Sequence, residues 1–362
     1  MDTTDPEIQF DEKGVCNHCR QYDERASKEL YLDETGQQKL NHIVNEIKEN
    51  GKNKKYDCLT GVSGGVDSTT ALYTIKKLGL RPLAVHLDNG WNTELSVRNI
   101  EQVVKKLNVD LYTYVIDWEE FKDLHLSFLK SSIANIEIPT DHAIMAILYH
   151  MAFKKGIKYI ISGGNIVTES IMPDSWMYDA KDLRLIKNIQ KIFGNARLKS
   201  FPTFSLFEWI YYTFVKRIKY FPVLNYVPYV KKDAVQLLRK ELDWRSYGHK
   251  HYESIFTRFF QGYILPRKFN IDKRKAHLST LICSGQMTKE EALEEMKLDI
   301  YPPKEIEEDK EYVIKKLGLT EEGFNKIMLQ PVKTFRNYPN SYFLFEKLAF
   351  FVNFAKKIAT YN

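Results

Sequence analysis

An α/β fold with a doubly wound parallel sheet is what this 362-residue sequence predicts. Two observations carry that expectation. The first is the stretch Asp57 to Ser68, DCLTGVSGGVDS, in which an apolar strand runs into a glycine-rich turn and then directly into a helix. The second is the alternation that follows, in which strand-length apolar runs are separated by helical stretches of about 10 to 15 residues, the pattern of βαβ units with right-handed crossovers. In such sheets ligands bind outside the carboxyl ends of the strands. Three regions are expected: an N-terminal arm with a helix over 1–50, the sheet domain over 51–200, and a mainly helical C-terminal region over 201–362 that completes the site.

The arm runs to about Leu32 and holds Cys16-Asn17-His18-Cys19. Two cysteines at this spacing can bite one Zn²⁺ as thiolates, but a structural site takes four ligands; the alternative is a pair of free thiols in a surface turn. From Asp33 to Asn50, Leu40, Ile43, Val44 and Ile47 recur at helical spacing before Gly51. Asp57 to Val62 reads as a buried strand, Val66 to Leu78 as a helix and Pro82 to Leu87 as a second strand. A helix over Glu94 to Leu107 leads to a third strand, Leu111 to Ile116. Trp118 to Lys130 is helical, as is an apolar run opened by Pro139-Thr140-Asp141 that ends near Lys155. Asp141 is either a cap of that helix or a nucleotide contact. Ile157 to Ser162 is the fourth strand.

The residues that follow each strand are the candidate site. After the first strand, Gly64 and Gly65 permit a backbone path that a β-carbon forbids. Successive N–H groups can then converge on one anion, with Ser63 and Ser68 adding hydroxyls and the helix beginning near Val66 adding its positive end. Asp67 beside such an anion requires a cation between them, and the expected one is Mg²⁺. After the second strand comes His86-Leu87-Asp88-Asn89-Gly90-Trp91, where the Leu87 backbone and Asn89 are placed to meet adenine and ribose. After the fourth, Gly163, Gly164 and Asn165 allow close approach of a nucleotide, and Glu169 is a second candidate carboxylate for Mg²⁺.

Beyond the sheet, Phe201 to Val230 is crowded with aromatics and reads as a helical core or a subunit interface, with a membrane-surface helix as the alternative. Trp244 to Glu291 interleaves aromatics with basic residues, among them Lys250, Arg258 and Lys268, a mixture that can bind RNA or equally fold over an ATP site and hold a departing polyphosphate. No chemistry is legible from Asp299 onward. With 53 Lys and Arg against 47 Asp and Glu, the net charge of +6 suits small polyanions and is a weak case for nucleic acid. The opening MDTTDPEIQF has no apolar core, so no signal peptide is read. No apolar run approaches the roughly 18 residues of a membrane span, and the cysteines do not form a disulfide framework. A cytoplasmic enzyme is the expected class.

Ser-Gly-Gly-x-Asp-Ser between strand and helix resembles the PP-loop of N-type ATP pyrophosphatases, which have an adenine nucleotide alpha-hydrolase-like fold; the Walker A pattern is absent. Several stretches together, MDTTDPEIQFDEKGVCNHC, GVSGGVDS, HLDNGWN, SGGNIVTESIMP and GHKHYESIFTRFFQGYILPRKFNIDKRKAHLSTLICSGQMTKEEAL, are similar to the N-acetyl sugar amidotransferases of the WbpG and PseA type. That resemblance implies conversion of an acetamido group on a nucleotide-linked sugar to an acetamidino group, with ATP and Mg²⁺, in lipopolysaccharide O-antigen or flagellin-sugar synthesis. It also implies ammonia from a separate HisH-like glutaminase, often with a HisF-like subunit, and leaves a homo-oligomer open. In that setting Ser63, Gly64, Gly65, Asp67 and Ser68 hold pyrophosphate, and Lys250, Arg258 and Lys268 are the candidates for stabilising its charge. Family members carry another Cys-x-x-Cys just before the first stretch, so Cys16 and Cys19 are expected to be half of a four-cysteine zinc site. The rival expectation is a tRNA-modifying PP-loop enzyme, which also adenylates a carbonyl oxygen; a third is a non-catalytic nucleotide-binding scaffold.

Overall fold

The computed structural model describes residues 1–248 and 252–347. The chain enters through α1 (Asn17–Glu29) and α2 (Glu34–Gly51), the latter started by Asp33, whose carboxylate accepts the Gly36 N–H at 2.8 Å. Then β1 (Cys58–Gly61), α3 (Val66–Lys77), β2 (Pro82–Asp88), α4 (Glu94–Leu107) and β3 (Asp110–Val115) alternate as the periodicity predicts. Helices α5 (Trp118–Ser131) and α6 (Ile138–Lys155) precede β4 (Tyr159–Ser162). Gly156, at φ +65°, ends α6 in the left-handed region that glycine enters without strain.

The five strands are all parallel and lie in the order β3-β2-β1-β4-β5, where β5 is Lys219–Pro222. The chain winds outward from β1 through β2 to β3, then returns to the other side of β1 with β4. The switch point is therefore the gap between the carboxyl ends of β1 and β4, where this topology places ligands. Alternate side chains along β1 and β4 leave the sheet on opposite faces. Cys58 and Ile161 pack with Leu40, Ile47, Leu72 and Ile75 of α2 and α3 on one face, and Leu59 and Ile160 pack with Ile147, Leu148 and Tyr149 of α6 on the other.

The remaining helices are α7 (Ile166–Glu169), α8 (Leu183–Phe193), α9 (Leu206–Ile210), α10 (Lys231–Leu242), α11 (Ile255–Phe259), α12 (Leu265–Phe269) and α13 (Lys273–Cys283). They are followed by α14 (Lys289–Lys297), α15 (Pro303–Leu317) and α16 (Glu321–Leu329). A third apolar core, containing Phe121, Phe128, Phe256, Phe259, Phe260 and Phe324, joins α5 and α8 to α11, α15 and α16. No helix among the described residues is long and apolar enough to cross a membrane.

The aromatic segment 201–230 differs from its helical expectation. It holds α9, extended by a wide π-helical turn over Tyr211–Val215, and a short 3-10 turn over Val223–Tyr226, but between them Arg217 at φ +54° turns the chain into β5. Aromatic residues suit strands as well as helices, and a four-residue strand is too short to show a period. The arm differs too, since α1 occupies much of it.

If β5 is built as described, Phe221, buried on the α2–α3 face, should behave as core. Phe221→Ala should cost about 3–5 kcal/mol in urea unfolding. Lys219→Ala, which loses an exposed pair with Glu46 at 2.6 Å, should cost under about 1 kcal/mol. Equal costs would show that Phe221 is not part of the core.

Candidate active site

The loop from Val62 to Gly65 sits at the switch point, and its shape follows from two glycines. Gly64 has φ +83°, and Gly65 is the N-cap of α3. The hydroxyls of Ser63 and Ser68 face each other at 3.2 Å, and the Gly65 N–H approaches Ser63 Oγ at 3.3 Å. Backbone donors, two hydroxyls and the start of a 12-residue helix thus converge as the sequence predicts. The loop's outer side is held by residues that carry no local sequence signal. Trp244 Nε1 and the Tyr247 hydroxyl both donate to the Gly64 carbonyl, at 2.7 and 3.0 Å. Asn99 of α4 ties that segment down by donating to the Arg245 carbonyl and accepting its N–H, at 2.8 and 2.9 Å.

Gly163 brings the second half of the site against the first. A Cβ there would stand 2.7 Å from the Asp67 carbonyl and 2.8 Å from the Ser68 nitrogen, so the turn after β4 lies on the backbone of α3. Gly164 continues this turn, its N–H bonded to Ser162 Oγ at 2.9 Å. Asn165 caps α7 rather than reaching outward, since its Oδ1 accepts from Thr168 N at 2.9 Å and its Nδ2 donates to the Gly163 carbonyl at 3.2 Å. Asp67 accepts a hydrogen bond from the Tyr229 hydroxyl. Both Asp67 and Glu169 stand near enough to Tyr229 to raise its pKa electrostatically, along with burial.

After β2, Asn89 is buried and its Oδ1 accepts the Trp91 N–H at 3.1 Å, so its side chain builds the turn instead of presenting itself to a nucleotide. Leu87 is half-buried at this edge. His86 bonds through Nδ1 to the Val62 carbonyl at 2.9 Å and through Nε2 to Asn92 at 3.1 Å. Burial lowers its pKa, so it is a neutral brace between the first two strand ends. Lys316 of α15 donates to the Gly90 carbonyl and lies 4.9 Å from the ring centres of both Trp91 and Trp118.

The C-terminal region reaches the loop through residues 253–255. Thr93 N donates to the Glu253 carbonyl at 3.0 Å and Ile255 N to the Trp91 carbonyl at 2.9 Å, which carries the Glu253 carboxylate to 3.2 Å from where a Gly65 Cβ would stand. Sequence reasoning missed Glu253, because this pairing spans about 160 residues. Two basic candidates have other duties. Arg258 makes a two-pronged ion pair with buried Asp309, at 2.6 and 2.7 Å. Lys268 donates to the Ile327 and Gln330 carbonyls at the end of α16. Lys250 lies outside the described residues.

Asp141 is not a helix cap, since the N-cap of α6 is Glu137 and Asp141 lies a full turn in. Its carboxyl is open to solvent along one side, yet desolvation by the surrounding protein, reinforced by Glu137 and opposed by Lys273, pushes its pKa up to about 7. Because α6 runs antiparallel to the strands, its first turn stands at the sheet's carboxyl edge, on the same side as the loop.

The cysteine arm also departs from expectation. Cys16 and Cys19 Sγ lie 3.5 Å apart, and Cys283 of α13, which the sequence left without a partner, adds a third thiol that interacts with both. Burial and the neighbouring thiols push Cys19 up to about 12. His18 is turned to Asp5 at 2.6 Å. Among the described residues no group of three or more His, Cys, Asp or Glu is set to hold a metal ion, and the half-site expected of Cys16 and Cys19 finds no further ligands there.

Comparison with known proteins agrees with this geometry. Residues 57–178 match the model of the queuosine biosynthesis protein QueC, and residues 253–350 match that of the C-terminal domain of LPS biosynthesis protein WbpG-like proteins. An uncharacterized protein of Methanocaldococcus jannaschii is 33% identical over 132 residues, 35% of this chain and 45% of the relative. The 7-cyano-7-deazaguanine synthase of Sulfurimonas denitrificans is 32% identical over 109 residues, 30% of this chain and 47% of the relative. The chain thus spans just under half the length of these curated relatives. Among solved structures, the NMN synthetase of Francisella tularensis aligns with 80% of this chain and 98% of its own, at 16% identity and a TM-score of 0.37. The NH3-dependent NAD synthetase of Campylobacter jejuni aligns with 78% and 96%, at 17% identity and 0.32. A glycine loop at the switch point of a parallel sheet, within a stretch matching QueC, defines a PP-loop protein of the ATP pyrophosphatase class. The WbpG-like domain that follows in the same chain supports a WbpG-type member of that class.

Two outcomes follow. Gly163→Ala should cost about 1–3 kcal/mol by overpacking and sharply reduce ATP turnover; a stable, active variant would separate the two halves of the site. Asp141 protonates more readily folded than unfolded, so its stabilising contribution is full below about pH 4 and lost as the pH rises to about 7. Asp141→Asn should therefore gain urea stability relative to wild type between pH 4 and 7, and a pH-independent difference would contradict the shift.

Proposed function

We propose that the protein is an ATP-dependent carbon–nitrogen ligase that turns the acetamido group of a nucleotide-linked N-acetyl sugar into an acetamidino group, in the assembly of a bacterial surface polysaccharide. The observation that carries this reading is the joining of the two matched regions at one loop. Gly64 and Gly65 of the cradle are touched by Trp244, Tyr247 and Glu253, the last being the first residue of the WbpG-like region.

The chemistry needs an activated oxygen. An amide resists ammonia because its oxygen does not leave, so the carbonyl oxygen attacks the α-phosphorus of ATP and pyrophosphate departs. Ammonia then adds to the imidate carbon, AMP leaves with the former amide oxygen, and a lost proton gives the amidine. Ser63, Ser68 and the N–H groups at the start of α3 bind the β- and γ-phosphates and the departing pyrophosphate. A divalent cation such as Mg²⁺, with Asp67 and Glu169 as its residues, would screen that charge; one or two carboxylates plus phosphate oxygens are the usual set.

The ammonia comes from a separate glutaminase of the HisH-like kind. Glutaminase chemistry needs a reactive thiolate, whereas Cys58 is sealed inside β1 with its thiol raised well above the ordinary range, and Cys19 and Cys283 are raised as well. The same facts weigh against a base-thiolating reading, which also wants a reactive cysteine.

Pyrophosphate release from ATP with Mg²⁺ and ammonium should appear with a UDP- or CMP-linked N-acetyl sugar, giving a product about one mass unit lighter. Asp67→Ala should abolish it while leaving the circular dichroism spectrum unchanged. Release with tRNA or a deazaguanine acid and not with sugars would overturn the proposal.

A further inference from the structure

Asp67 is held by a residue far away in sequence. The Tyr229 hydroxyl donates to Asp67 Oδ1, and Thr70, one turn further along α3, lies near the same phenol. Tyr229 is buried, and its own backbone is fastened from the other side. Gln286 Nε2 donates to the Tyr229 carbonyl at 3.0 Å, while Gln286 Oε1 accepts the Lys231 N–H at 2.9 Å. Both ends of one amide are thus spent on the segment that carries the phenol. Gln286 stands in the turn after α13, where Gly285 has φ +70° and the Gln286 N–H is bonded to the Leu281 carbonyl at 2.9 Å. A continuous path of hydrogen bonds therefore runs from the C-terminal domain through Gln286 and Tyr229 to Asp67.

The chemistry of the donor matters. A phenol fixes the carboxylate while leaving its charge in place. Partners of this kind, bonded to a carboxylate that ligates a metal, typically govern affinity by about 10- to 100-fold.

We propose that Tyr229 and Gln286 are positioning residues, through which the WbpG-like domain sets Asp67 to receive a phosphate-bound divalent cation. This inference rests on the reading of Asp67 given under Proposed function. It is tested on the full chain with Mn²⁺ and α,β-methylene-ATP, reading free Mn²⁺ by electron paramagnetic resonance so that binding is seen without turnover. Tyr229→Phe should weaken Mn²⁺ binding by about 10-fold or more with an unchanged melting temperature, and its lost turnover should return as Mg²⁺ is raised. Gln286→Ala, outside the loop, should show the same shift in smaller measure, and it keeps the test alive if Tyr229→Phe does not fold. Wild-type binding that depends on Asp67 but is indifferent to both variants would overturn this inference alone. Binding unaffected by Asp67→Ala, or absent from the wild type, would overturn it together with the reading of Asp67.

Discussion

Where β4 ends, the backbone of Gly163 rests on the carbonyl of Asp67 and the nitrogen of Ser68, closer than any side chain permits. That contact fixes the distance between the two strand ends flanking the switch point, and hence the width of the space a nucleotide would enter. Much of the remaining structure serves to hold this spacing. The parallel register of β1 with β4 brings the strand ends level. The buried Thr60 hydroxyl reinforces it by donating to the Ile161 carbonyl at 3.0 Å. The C-terminal helices then close the outer side through Trp244 and Tyr247.

Asp67, Glu169, Glu253 and Asp141 gather at the carboxyl edge of the sheet, while Arg258 and Lys268 are taken up in holding the C-terminal helices together. Charge compensation for a bound polyphosphate thus falls on backbone dipoles, hydroxyls and a cation more than on these two side chains.

The sheet was legible because its signals are local. A glycine pair between an apolar strand and a helix, and alternating periods of two and 3.6, can be read within a window of a dozen residues, and β1 to β4 lie close to where those signals put them. The loop residues Ser63, Gly64, Gly65, Asp67 and Ser68 were legible for the same reason. Strand β5 was not, because four residues among aromatics have no resolvable period. Nor were Tyr229, Trp244, Tyr247 and Glu253, each of which meets the loop across about 160 to 190 residues of chain. The basic candidates failed in the converse way: Arg258 and Lys268 look available in sequence only because Asp309 and the end of α16 lie more than 50 residues away.

The clasp of Lys316 on the Gly90 carbonyl, with its ammonium between Trp91 and Trp118, has an optical consequence. Indole emission responds to a nearby charge, and Trp244 is bonded directly to the Gly64 carbonyl. Three of the five tryptophans in the chain are therefore wired to the two turns that border the nucleotide space. The protein carries its own fluorescent gauge of loop geometry, so occupancy of the cradle can be followed in an unlabelled chain.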